Sequence, residues 1–204
     1  MFEDLKYQPI KQILSEEIIE LVSQYALLDE LTNFTSVGDT QVPGAHSRYG
    51  DILMESLLIK LKPSIEFVSG KVLIPTYSYY RVYRPGHELK THKDRPACEY
   101  SVTVSFNQNY QSMTNQYSWP MYVEGTPVHL DPGDAIVYKG VEVEHWRDKF
   151  DAPQLSYHIQ GFFHYVDANG PYAEEALDKR MFIGQPKVPK NKSNLPNKSY
   201  IIQT

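Results

Sequence analysis

Three residues of this chain could together hold a divalent metal ion: His92 and Asp94, two positions apart, and His145 further on. Two imidazoles and one carboxylate form a donor set that holds Fe(II) on one face and leaves positions open for a co-substrate and O2. Within a β-strand, residues i and i+2 point to the same side. His92-Lys93-Asp94 can therefore present both donors from one strand, and the interval to His145 leaves room for several strands before the third donor returns. The competing reading is an exposed His92-Lys93-Asp94 in a polar loop, with His145 merely packed beside Trp146.

The surrounding elements favour the metal reading. Short β-prone runs occupy 72–84, 89–94, 98–106, 121–124, 135–138 and 156–166, separated by turn chemistry at Pro85-Gly86, Gly125-Thr126 and Asp131-Pro132-Gly133-Asp134. Many short, closely spaced strands predict a barrel or sandwich. Upstream, Ile18, Leu21, Val22, Tyr25 and Leu28 recur at helical spacing within 15–28, and Glu16 and Glu17 suit the positive end of a helix dipole. Residues 33–48 are rich in Thr, Ser, Gly and Pro and are expected to form a loop. A second helix is expected from Asp51, burying Leu53, Met54, Leu57, Leu58 and Leu61; Pro63 would open a short further helix that Gly70 closes. One domain is expected over 1–184, with helical support at 1–70 and a barrel at 71–168, followed by an extended tail at 185–204.

The stretch from Tyr79-Tyr80-Arg81-Val82-Tyr83-Arg84-Pro85-Gly86 through His92-Lys93-Asp94 to Gly133-Asp134, His145-Trp146-Arg147 and Phe162-Phe163-His164-Tyr165 resembles the Fe(II)/2-oxoglutarate-dependent oxygenase superfamily, in its prolyl-4-hydroxylase-like branch. The resemblance covers roughly 72–168. It implies a mainly β chain with N-terminal helices (α+β), built as a double-stranded β-helix or jelly-roll barrel. It also implies a dioxygenase that uses Fe(II), 2-oxoglutarate and O2 and couples formation of succinate to hydroxylation of a substrate. That substrate could be a small molecule or a peptide, including a peptidyl proline. A zinc-protease reading of His87 and His92 fails, because those histidines are five apart in a strand-prone segment rather than four apart on a helix. A cupin-like metal module or a non-catalytic pseudo-enzyme on the same barrel is the alternative, with Glu99 as a possible fourth ligand. Cupins usually carry a second histidine where Asp94 stands.

The resemblance also implies a basic residue on the strand after the second histidine, paired with the far carboxylate of 2-oxoglutarate. That place reads Gln154-Leu155-Ser156, so the arginine is missing. Ser156, His158 on the same strand face, Arg147 and Tyr83 are the candidate co-substrate contacts. Arg81, Arg84, Lys90, Lys93 and Arg95 could form a positive lip, although solvated strand faces balanced by local acids are expected for most of them. Trp119, Tyr122 and Trp146 could line a substrate groove, and His129 and His164 are expected to be structural.

A net charge of −5 disfavours a nucleic-acid partner. The single cysteine, Cys98, allows no internal disulfide and suits a reducing compartment. The start Met1-Phe2-Glu3-Asp4 is acidic and unlike a signal peptide, and no apolar run is long enough for a membrane span. A cytoplasmic location without membrane contact is expected, and the oligomeric state is not readable.

Overall fold

The structure, a computed structural model, describes residues 2–33, 38–111, 113 and 117–185. In chain order the elements are α1 (Phe2–Leu5), β1 (Tyr7–Ile10), α2 (Glu16–Thr32), β2 (His46–Tyr49), α3 (Ile52–Ser69), β3 (Leu73–Tyr83), β4 (Leu89–His92), β5 (Tyr100–Asn109), β6 (Met121–Val123), β7 (Thr126–Val128), β8 (Ala135–Tyr138), β9 (His145–Arg147) and β10 (Tyr157–Asp167). Short 3₁₀ turns lie at Pro96–Cys98 and Ala173–Lys179. Of the tail expected at 185–204, residues 186–204 lie outside the described residues.

The strands form two antiparallel sheets, one ordered β1-β8-β5-β10-β3-β2 and the other β4-β9-β6-β7. This is the jelly-roll architecture expected from the sequence. Along β10 the odd residues Ile159, Phe163 and Tyr165 join the core beneath α2 and α3. The even residues Gln160, Phe162 and His164 face the barrel interior. Strand β3 alternates likewise, with Tyr80 and Val82 in the helix-side core and Tyr77, Tyr79 and Arg81 lining the interior. Both faces of these strands are therefore buried, and the polar residues on the inner one line a cavity. Among the described residues, no helix is long and apolar enough to cross a membrane.

Two expectations are corrected. Helix α3 runs unbroken through Pro63 instead of splitting there. A proline inside a helix costs about 3 kcal/mol, whereas burying Leu57, Leu58, Leu61 and Ile65 stabilises the helix by roughly 2 kcal/mol each. Ile59, whose carbonyl loses its donor to the proline, lies on the more exposed side of the helix. The capping is as the sequence suggests: the Asp51 carboxylate accepts from the Leu53 and Met54 amides, and Gly70 closes the helix at a φ of 66°.

The second correction concerns the loop expected at 33–48, from which His46–Tyr49 emerges as an edge strand on β3. Its polar residues carry no alternating apolar signature. It is held by the Asp29 carboxylate, which accepts from Arg48 through both Nε and Nη2 at 2.7 Å, pairs with His46 Nε2 at 2.7 Å and also accepts from the Tyr80 hydroxyl. Together with β1, this brings two strands of the large sheet out of the region expected to be helical support.

Candidate functional site

Strands β4 and β9 pair antiparallel with His92 directly opposite His145, and the two imidazole rings lie 4.3 Å apart between centroids. Asp94 lies two residues past the end of β4, not within it. Its amide donates to the Gly140 carbonyl at 2.8 Å, which fixes the turn that carries it. Asp94 Oδ1 lies 3.6 Å from His92 Nε2 and 3.5 Å from His145 Nε2. Donor atoms of His92, Asp94 and His145 all lie within 4.8 Å of one another.

The tautomers follow from the backbone. His92 Nδ1 lies 2.8 Å from the Lys90 carbonyl, and His145 Nδ1 lies 3.2 Å from the Val143 carbonyl. A carbonyl oxygen only accepts, so each Nδ1 carries a proton and Nε2 is the ring nitrogen turned toward Asp94. Metal-ligating histidines are oriented in this way by the bond their other nitrogen makes. The Ser101 hydroxyl donates to Asp94 Oδ2 at 2.8 Å, leaving Oδ1 for the histidines. The set fits a divalent ion that takes nitrogen and oxygen donors. Gly140 makes room for it: a Cβ there would lie 2.5 Å from Asp94 Oδ2, 2.4 Å from the Cys98 carbonyl and 2.6 Å from Ser101 Oγ.

Electrostatics agree with this arrangement. Burial alone would raise the Asp94 carboxyl, but His145, His164 and the Ser101 hydroxyl outweigh it and hold the group below the usual carboxylate range. Burial, helped by neighbouring His145, pushes the His92 imidazole down, which favours its neutral form. His164, expected to be structural, instead lines the same cavity. Its Nδ1 lies 3.0 Å from Ser101 Oγ, and burial pushes it down to about 4.

The donors open into a cavity of about 660 Å³ lined by residues that include Tyr49, Tyr77, Tyr79, Arg81, Met121, Tyr138, Arg147, Gln160 and Phe162. Most of the expected positive lip is neutralised: Arg81 pairs with Asp39, Arg84 with Glu30 and Arg95 with Asp178. Trp119 is buried in the core, and Tyr122 stacks on Trp146 on the face of the small sheet that points away from His145. None of the three lines the cavity, which corrects the groove expectation. Glu99 accepts from the Asp167 amide in a separate recess and is not part of the cluster around His92.

The four candidate co-substrate contacts separate. Tyr83 is fully buried outside the cavity lining, its hydroxyl accepting from Arg81 at 3.0 Å. Ser156 precedes β10, and its buried hydroxyl has no partner. His158 is buried against Tyr110 and Trp119, with Nδ1 2.8 Å from the Tyr110 hydroxyl. The structure brings none of these three to the cavity wall. Arg147 does line it, with Nη1 donating to the Trp119 carbonyl. Gln160, which the sequence did not single out, lines the cavity beside these groups. An amide on the inner face of a strand buried on both sides was the available signal.

The fold matches solved structures of one enzyme class. A prolyl-4-hydroxylase from Pseudomonas putida superposes with a TM-score of 0.59 at 14% identity, covering 80% of this chain and 94% of that one. The non-haem α-ketoglutarate-dependent epimerase SnoN of nogalamycin biosynthesis gives 0.66 at 13% identity, covering 95% and 88%. EctD from S. alaskensis, with 2-oxoglutarate and 5-hydroxyectoine, gives 0.59 at 13% identity, covering 82% and 74%. No family model and no curated protein matches the sequence. The chain thus has the fold of the Fe(II)/2-oxoglutarate-dependent oxygenases; at these identities the likeness is one of fold.

Proposed function

We propose that this protein is an Fe(II)- and 2-oxoglutarate-dependent dioxygenase, with His92, Asp94 and His145 as the metal ligands. The observation that carries this reading is the convergence of two imidazole Nε2 atoms and one carboxylate oxygen at the edge of a cavity. Bound iron supplies the O2 activation that couples oxidative decarboxylation of 2-oxoglutarate to oxidation of a substrate. The chain's own residues orient and enclose. The Lys90 and Val143 carbonyls fix the imidazoles, Ser101 fixes the carboxylate, and the barrel walls surround the site. A cavity of about 660 Å³ holds an oxo-acid and a small organic substrate together. Tyr49, Tyr77, Tyr79 and Phe162 on its wall suit a substrate with apolar or aromatic surface.

The test is calorimetric titration of metal-free protein with Fe(II) under anaerobic conditions, followed by succinate formation from 2-oxoglutarate in air. One equivalent of Fe(II) should bind, and succinate should appear only with iron. Wild-type metal affinity or turnover in Asp94→Ala would sink the assignment.

A further inference from the structure

Asp94 turns its two carboxylate oxygens toward different neighbours. Oδ1 lies 3.6 Å from His92 Nε2 and 3.5 Å from His145 Nε2. Oδ2 accepts from the Ser101 hydroxyl at 2.8 Å. Ser101 Oγ in turn lies 3.0 Å from His164 Nδ1 and 3.1 Å from the Cys98 carbonyl. On this second side Asp94, Cys98 and His164 each offer a donor atom, and the three atoms lie within 4.8 Å of one another.

Local structure fixes both new donors. Cys98 ends the 3₁₀ turn Pro96–Cys98, where its amide donates to the Arg95 carbonyl at 2.8 Å. His164 on β10 stands directly opposite Ser101 on β5. Cys98 is about 2% exposed and His164 about 5%, yet both line the cavity that the first cluster opens into. An ion in that cavity can therefore reach them.

The two donor sets differ in chemistry. A sulfur replaces one imidazole, which makes the second set softer and suits a zinc-class ion. Burial pushes the Cys98 thiol up, so the free side chain is a neutral, inert thiol. A metal displaces the thiol proton, which leaves to solvent. The Tyr77 hydroxyl, 3.1 Å from Cys98 Sγ, is then in place to donate to the sulfur.

We infer that Asp94, Cys98 and His164 form a second cation site, for a thiophilic divalent ion such as Zn(II), which shares the Asp94 carboxylate with the site at His92 and His145. Three protein donors leave a fourth position for water from the cavity. Two cations on one carboxylate repel, so each lowers the affinity of the other. The inference goes beyond the oxygenase reading, which needs no thiol.

Cys98 is the one cysteine of the chain, so a metal–thiolate signal has a single source. The experiment titrates full-length, metal-free protein with Co(II), a spectroscopic stand-in for zinc, and follows ultraviolet absorption and heat together. Wild type should show a cobalt–thiolate charge-transfer band and bind one equivalent beyond that held by His92, Asp94 and His145. Cys98→Ser should lose the band and that equivalent and keep the other. His164→Gln should weaken the band-forming step by about 10-fold or more, and it stands in if Cys98→Ser does not fold. Asp94→Ala should weaken both steps. Absence of the band in wild type overturns the inference. So does a band-forming step of wild-type affinity in His164→Gln or Asp94→Ala, which would make the thiol an adventitious ligand acting alone. Neither result touches the oxygenase reading. A band in wild type with no equivalent left in folded Cys98→Ser would overturn that reading and leave the thiol site standing.

Discussion

The two ends of the cavity satisfy their polar groups in opposite ways. At the metal end every candidate ligand is already fixed by the chain: Lys90 and Val143 carbonyls hold the imidazoles, and Ser101 and the Gly140 carbonyl hold Asp94. At the Arg147 end the reverse holds, with a guanidinium lacking an acid and an amide lacking both partners. The metal end is preorganised, so binding there requires little rearrangement. The Arg147 end holds a buried guanidinium with no acid beside it among the described residues. Geometry alone marks the first site, whereas the second is marked by what its groups lack.

This contrast can be broken at either end. The largest effect is expected for Asp94→Ala, which removes the only anionic donor and should lower Fe(II) or Ni(II) affinity by at least about 100-fold in calorimetry. Ser101→Ala frees Asp94 Oδ2 without touching a ligand and should cost about 10-fold in metal affinity. An unchanged affinity would mean that the turn at Gly140 positions Asp94 by itself.

The smallest effect is a pH dependence of stability. Burial pushes His164, at the metal end, down to about 4, and pushes His158, beside Arg147, well below its ordinary value, with Arg147 adding to the shift. Both folded values lie below an unfolded value near 6.5, so the unfolded chain takes up protons first. Stability is therefore full above about pH 6.5 and falls as the pH drops toward 4, by about 1.4 kcal/mol per pH unit for each histidine. The melting temperature of the metal-free protein should fall between pH 7 and pH 5, and His158→Gln should flatten the slope. A flat profile in wild type would contradict the burial of these imidazoles.

That the metal end was more legible in the sequence than the Arg147 end has a physical basis. A strand turns a two-residue spacing into a shared face, so His92-Lys93-Asp94 pointed to a metal even though Asp94 lies just beyond its strand. His145 arrived opposite His92 because β4 and β9 pair. Which residues of β9 and β10 face the same interior is set by long-range pairing. Ser156 and His158 sit where a basic residue was expected, but Ser156 precedes the strand and His158 is engaged by Tyr110. Gln160 becomes conspicuous only once both faces of β10 are known to be buried. The strand at His46–Tyr49 was missed because the Asp29 cluster, not an apolar alternation, holds it.

Gly140 bears on how distant relatives of this chain can be sorted. The space a methyl group would take there is already filled by the Asp94 carboxylate, the Ser101 hydroxyl and the Cys98 carbonyl. A sequence that keeps His-x-Asp and the later histidine but carries any side chain at this position cannot keep Asp94 where it stands. Such a sequence must have rebuilt the turn that carries the carboxylate. One letter, outside the motif and far from it along the chain, thus reports on whether the carboxylate can stand as it does here.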